Sequence, residues 1–350
     1  MVRGHLPSLF NPSGPCTSLQ LVRPLPLVLS ALLAVLPACH RTPRPRAKVV
    51  TSIFPVYDLT RRIAGEDADV VMLEPVGSSP HTYTPTPGDV ERSTGANLAV
   101  MIGLDLDAWL EPLMTRVGAP KGRILRLADR VPTLPRRVSL TEEAGQAKRD
   151  ATRRAGEPDP RGVEGIDVHV WLDPQRALLM ERAITDELCR VDPDHAKGFR
   201  TRGLAVTTSL EALDTELEQR TRGWKHRSFA TLHDAFRYYA SRYHFDVVAA
   251  VDMQPGARTP IRYEQMVLSR MRERGATAIF GEPQLDSRPS QTLSHAGPFA
   301  YGVLDPIGGT AGVDSYEALL RHDTDVLEKT LETQPPAAPR ADAAVNDAAH

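Results

Sequence analysis

Apolar residues fall along the chain in two alternating rhythms. Short β-rich runs at Lys48 to Phe54, Val70 to Leu73, Leu98 to Ile102 and Ile124 to Leu127 read as strands. Leu106, Trp109, Leu110, Leu113 and Met114 recur at helical spacing among them and predict one apolar stripe. The scheme returns in the second half, with strands expected at Ser228 to Leu232, Asp246 to Val251, Ala276 to Phe280 and Ala300 to Leu304. Phe236, Tyr239, Ala240 and Tyr243 predict a helix between two of these, and Tyr316, Leu319, Leu320, Leu327 and Leu331 predict a last one. A strand-helix repeat implies an α/β fold with a mostly parallel sheet covered on both faces.

Two stretches divide the pattern. Asp173 can cap a helix whose first residue is Pro174, and Pro193 opens a longer one with Val206, Leu210, Leu213 and Leu217 on one side. The longer helix, 193–222, is expected to connect an N-terminal lobe, 48–192, to a C-terminal lobe, 223–334. A chain of 350 residues accommodates two such domains, each with a core of its own. Residues 133–165 are rich in Arg, Glu, Gly and Pro without a periodic apolar face, and they predict a mobile insertion in the first lobe. The Pro-, Ala- and Asp-rich stretch 335–350 predicts a disordered tail.

The N-terminal residues are of another kind. No acidic residue precedes Asp58, and the apolar run Leu27 to Leu36 is short for a bilayer span, so 1–38 reads as a secretory signal. Its end, Leu36-Pro37-Ala38-Cys39, resembles a bacterial lipoprotein signal, although Pro37 departs from the usual residue there. Cys39 is then the expected lipid-bearing residue, with 39–47 as a tether. A cleaved soluble signal with an incidental Cys is the alternative. The other cysteines are Cys16 and Cys189, so no disulfide is expected within the body, and Cys189 reads as a small core residue. A net charge of −2 and the lack of a basic block argue against a nucleic-acid partner.

Candidate chemistry rests on three histidines and one carboxylate. His81 lies in Pro80-His81-Thr82-Tyr83-Thr84-Pro85-Thr86-Pro87, where three prolines stiffen the loop and lower the entropy lost on binding an ion. His169 stands just ahead of the Asp173-capped helix, His233 follows a predicted strand, and Asp305 ends another. Strand carboxyl ends are where open α/β sheets gather ligands. Two candidates come from each half, which points to a cleft between lobes. Three imidazoles and a carboxylate suit a borderline transition metal. For Asp305, beside Pro306, a turn residue is the alternative to a ligand, and His195, His226, His244, His295 and His322 read as structural or solvated.

TSIFPVYDLTRRIAG, PHTYTPTPGDV, VHVWLDP, FATLHDAFRYYASRY and IFGEPQ resemble, in order and spacing, the zinc- and manganese-specific solute-binding proteins of bacterial ABC importers, the cluster A-I family. The resemblance runs from Lys48 to about Leu331. It implies two α/β lobes joined by one long rigid helix, with metal held between them by His81, His169 and His233 and, as in some members, Asp305. It further implies a monomeric, extracytoplasmic, membrane-anchored protein that is not an enzyme and that hands its ion to separate permease and ATPase chains. Zinc is the expected ion because manganese-specific relatives tend to carry a carboxylate where His233 stands; manganese or iron is the alternative. Zinc relatives often have a His-rich loop, whereas 133–165 contains no His. A zinc hydrolase is the rival from another class, but no H-E-x-x-H helix is present. An adhesin is a third reading, without a discrete module to support it.

Overall fold

The computed structural model describes residues 46–118, 123–140, 142–143, 165–252 and 260–332. The signal, Cys39, most of the tether and the tail lie outside them. Four parallel strands form the first sheet: β1 (Ala47–Thr51), β2 (Ala68–Met72), β3 (Leu98–Met101) and β4 (Ile124–Arg126), in the order β2-β1-β3-β4. The second sheet contains β5 (Ser228–His233), β6 (Asp246–Asp252), β7 (Ala278–Gly281) and β8 (Ala300–Val303), also parallel, in the order β6-β5-β7-β8. Both sheets therefore follow one topology. Their central strands bury side chains on both faces, as Leu98 to Met101 do, because helices cover each side.

Helices α1 (Phe54–Ala64), α2 (Pro87–Ser93), α3 (Leu110–Arg116) and α4 (Pro174–Val191) belong to the first half. Pro87 occupies the first turn of α2, where its missing N–H costs nothing, and Thr86 and Asp89 form a capping box there. Asp173 caps α4 by accepting from the Gln175 N–H, as its sequence predicts. After a 3₁₀ turn at Pro193–His195 comes α5 (Ala196–Thr221), the long connecting helix of 26 residues. Arg202 on α5 donates to the carbonyls of Ile63 and Ala64 and pairs with Asp67, closing the carboxyl end of α1. Gly65 follows that end at φ +56°, where a side chain would also strike Arg202.

Helices α6 (Arg237–Tyr243), α7 (Ile261–Glu273), α8 (Arg288–His295) and α9 (Tyr316–Glu332) complete the second lobe. The expectation of separate cores requires correction. The inner face of each sheet packs into one continuous apolar body through α5, joining Val49, Leu59 and Val100 to Phe199, Leu210, Phe229, Leu304 and Tyr316. Smaller clusters lie elsewhere in each lobe, around Val50 and Met101 in the first and around Leu232 and Val248 in the second. The lobes are thus fused along α5.

The beginning of the 133–165 segment differs from the expected mobile insertion. Residues 144–164 lie outside the described ones, but the segment is held where it begins. Pro135 pairs with Ile166 in an antiparallel bridge, Arg136 N–H donates to Gly165, and Leu140 is buried in the second lobe beside Leu232 and Val248.

Candidate metal centre

Three imidazoles meet between the sheets. His81 comes from the loop that follows β2, His169 from the residue that opens a 3₁₀ turn at Val170–Leu172, and His233 from the last position of β5. A ligand nitrogen from each lies within 4.8 Å of the others, and this is the one such group of His, Cys, Asp or Glu among the described residues. Ring centroids are 5.4 Å apart for His81 and His169, 4.8 Å for His81 and His233, and 4.7 Å for His169 and His233. The Nε2 atoms of His81 and His169 are separated by 3.3 Å. Two nitrogens each bound at the usual zinc distance, in tetrahedral array, would stand about 3.3 Å apart, so the spacing fits a shared ion.

Two of the rings are held from behind. His169 Nδ1 meets Asp167 Oδ1 at 2.8 Å and His233 Nδ1 meets Glu282 Oε2 at 3.2 Å. With Nδ1–H donated to a carboxylate, the neutral ring turns an unprotonated Nε2 toward the centre, the arrangement that makes imidazole a good ligand. Neither Asp167 nor Glu282 was among the residues singled out from the sequence. The signals were present: an acidic residue two positions before His169, and another just after the β7 strand, in the stretch IFGEPQ.

The electrostatics differ from ring to ring. Burial pushes His169 well below its ordinary value, helped by the charge on His233. The same two causes, with His169 added, lower His81, which is exposed as a residue although its ring is crowded by the other two. Burial also disfavours a charged His233, but Glu282, Asp234 and Asp167 outweigh it and raise its pKa. Burial lifts Asp167 itself to about 6. Farther into the first lobe, burial and Asp107 raise Glu74 to about 8.

Asp305 is buried but does not belong to the three-nitrogen group. Its Oδ1 accepts from the N–H groups of Ile307 and Gly308, both at 3.0 Å, and from Gln284 at 2.7 Å. Its own N–H donates to Asp323. The turn is also tied to the first half, since Trp171 Nε1 donates to the Pro306 carbonyl at 2.7 Å and Tyr316 Oη to that of Trp171 at 2.6 Å. The turn function weighed from the sequence is therefore real. The histidines read as structural or solvated stand apart: His195 pairs with Asp192, and His244 ends α6 at φ +61°. Cys189 is half-buried on α4.

The chain is similar to known proteins both in sequence and in fold. The zinc-binding protein AdcA of Streptococcus pyogenes serotype M1 is 26% identical over 299 residues, which cover 82% of this chain. Those residues are 56% of AdcA, so the chain spans little more than half of the curated relatives that it matches first. The high-affinity zinc uptake system protein ZnuA of Paracoccus denitrificans is 27% identical over 319 residues, 86% of this chain and 96% of that protein. In fold, the periplasmic zinc-binding protein TroA from Treponema pallidum superposes with a TM-score of 0.66 at 23% identity, over 82% of this chain and 99% of its own. The model of the zinc-uptake complex component A family, described as periplasmic, matches residues 49–330, and with that span the chain belongs to this family.

Proposed function

We propose that the protein is an extracytoplasmic carrier that takes up a divalent transition ion, zinc by preference, between its lobes and delivers it to an ABC importer. The observation that carries this reading is the convergence of His81, His169 and His233, with Nε2 atoms of the first two at the spacing of ligands on one ion. Asp305 is proposed as the fourth ligand through Oδ2, because Oδ1 is engaged in its turn, although the side chain stands outside the three-nitrogen group. Nitrogen donors favour zinc over manganese by softness and by the general affinity order. Manganese or iron is the alternative cargo. Catalysis is not part of the proposal, because four protein ligands leave no open position for a substrate.

The rest follows from the same reading. Residues 1–38 serve as the signal, Cys39 carries lipid, and 39–47 tether the lobes 48–192 and 223–334, joined by 193–222, to the membrane. The chain acts as a monomer and meets separate permease and ATPase subunits. One preparation tests both ends of the proposal: protein from its own host, examined by elemental analysis and intact mass, with zinc and manganese titrated into the metal-free form. Bound zinc, tighter zinc than manganese binding and acyl mass on Cys39 are expected. A manganese-loaded preparation that also prefers manganese would overturn the zinc assignment.

A further inference from the structure

The beginning of the 133–165 segment performs a task that its composition conceals. Leu134 and Arg136 are zipped to Gly165 and Asp167, two to four residues before His169. Tyr238 on α6 seals the junction, accepting from Leu134 N–H at 2.9 Å and donating to the Asp167 carbonyl at 2.7 Å. From this clasp the chain crosses to the second lobe. Arg137 Nε lies 3.1 Å from both carboxylate oxygens of Asp234, and its Nη2 donates at 2.5 Å to the carbonyl of Val247 on β6. Leu140 is buried among second-lobe residues, and Glu143 pairs with Arg270 on α7 at 2.5 Å. Arg237 completes the circuit, with Nη1 donating to the Pro135 carbonyl and lying 3.7 Å from Asp167, and Nε 3.9 Å from Asp234.

Asp234 directly follows His233, and Asp167 holds the ring of His169. One element, fastened at both points, thus fixes the segments that present ligands from opposite lobes. We infer that Arg137 is a positioning residue for the metal centre: by holding Asp234 against β6 it sets where His233 stands relative to His169. Arginine suits the task because its planar fork spans a carboxylate and a backbone carbonyl at once, whereas lysine offers a point charge. The guanidinium and Asp234 are both largely shielded from water, so the pair is screened less than a surface one.

The inference rests on the metal-carrier reading, and the two are separable by experiment. Full-length wild type, Arg137→Ala, Arg137→Lys and the remote control Arg321→Ala, which breaks only the exposed pair with Glu216, are compared. Zinc is chased with a chelator, Co²⁺ absorption reports ligand geometry, and thermal unfolding of metal-free protein reports stability. Loss of an outer-shell partner typically weakens a metal site by about 10- to 100-fold, so Arg137→Ala should release zinc at least about tenfold faster, with a weakened tetrahedral Co²⁺ band. Arg137→Lys should recover part of both, and Arg321→Ala should match wild type. A folded Arg137→Ala with unchanged release and spectrum overturns the positioning role and leaves the carrier reading intact. Faster release with an unaltered Co²⁺ spectrum and no recovery in Arg137→Lys also overturns it, as plain destabilisation. Wild type that binds neither ion overturns the carrier reading itself.

Discussion

His169 and His233 make the same hydrogen bond from opposite lobes, each turning Nδ1 to a carboxylate, yet their pKa values move in opposite directions. In the first lobe, burial and a second imidazole prevail, and His81 and His169 stay neutral. In the second, Glu282 and Asp234 surround one ring and stabilise its proton. The same sheet topology therefore presents unequal halves of a site: neutral nitrogen donors on one side, negative charge on the other. A divalent ion uses both, since it needs lone pairs for bonding and anions to offset its charge once water is excluded.

The comparison breaks most severely if the three rings are not one unit. His81→Ala, His169→Ala and His233→Ala should each weaken zinc binding by more than about 100-fold, because removal of a ligand exceeds the usual outer-shell loss. His195→Ala and His244→Ala should not differ from wild type in a competition assay with a chelating dye. Comparable losses in both sets would mean that the ion binds elsewhere.

A smaller effect separates the lobes. Asp167→Asn and Glu282→Gln should each cost about 10- to 100-fold in affinity, but they should differ in pH dependence. The sign follows from His233: a raised pKa keeps its proton to a pH above the ordinary imidazole value of about 6.5, and zinc must displace that proton. Affinity should climb as pH rises through and above that value, by up to about tenfold per unit, and level off once the ring is neutral. Glu282→Gln removes the principal charge that holds the proton and should move the climb to lower pH. Asp167→Asn should move it less. Titrations across pH in both variants check this, and an unmoved profile in Glu282→Gln would remove the basis for treating the second lobe as the proton-holding half.

Much of this arrangement was legible because it is written in local patterns. All eight strands among the described residues were anticipated by apolar runs, and Thr86 and Asp173 announce helix starts through hydrogen bonds made within a few residues, with Pro87 and Pro174 in the first turns. The histidines stand out by their place at strand ends and by the motifs around them. What escaped notice depends on distant partners. Glu282 meets His233 across 49 positions and Arg137 meets Asp234 across 97, so neither pairing leaves a periodic trace. The shared core escaped for the same reason, since Phe199 and Leu210 signal an apolar face without saying that both lobes press against it. Composition misled at Thr133 to Leu140, where long charged side chains looked like a solvated loop although Arg137 is bonded to the second lobe and Leu134 and Leu140 pack against apolar clusters.

The mildest test concerns Asp305, where two functions compete for one side chain. Its Oδ1 already serves three donors, and Asn can preserve those bonds through its own carbonyl oxygen while giving up the charge. The amide would put an NH₂ group where Oδ2 was, and that group cannot coordinate a metal through a lone pair. If Asp305 supplies the fourth ligand, Asp305→Asn should therefore lower zinc affinity by up to about tenfold, less than any of the three histidine substitutions, because three strong nitrogen donors remain and water can fill the vacated position. Manganese, which depends more on oxygen donors, should lose proportionately more. Unchanged affinity for both ions, with unfolding behaviour like that of wild type, would make Asp305 a turn residue alone and leave the second lobe with a single ligand, His233.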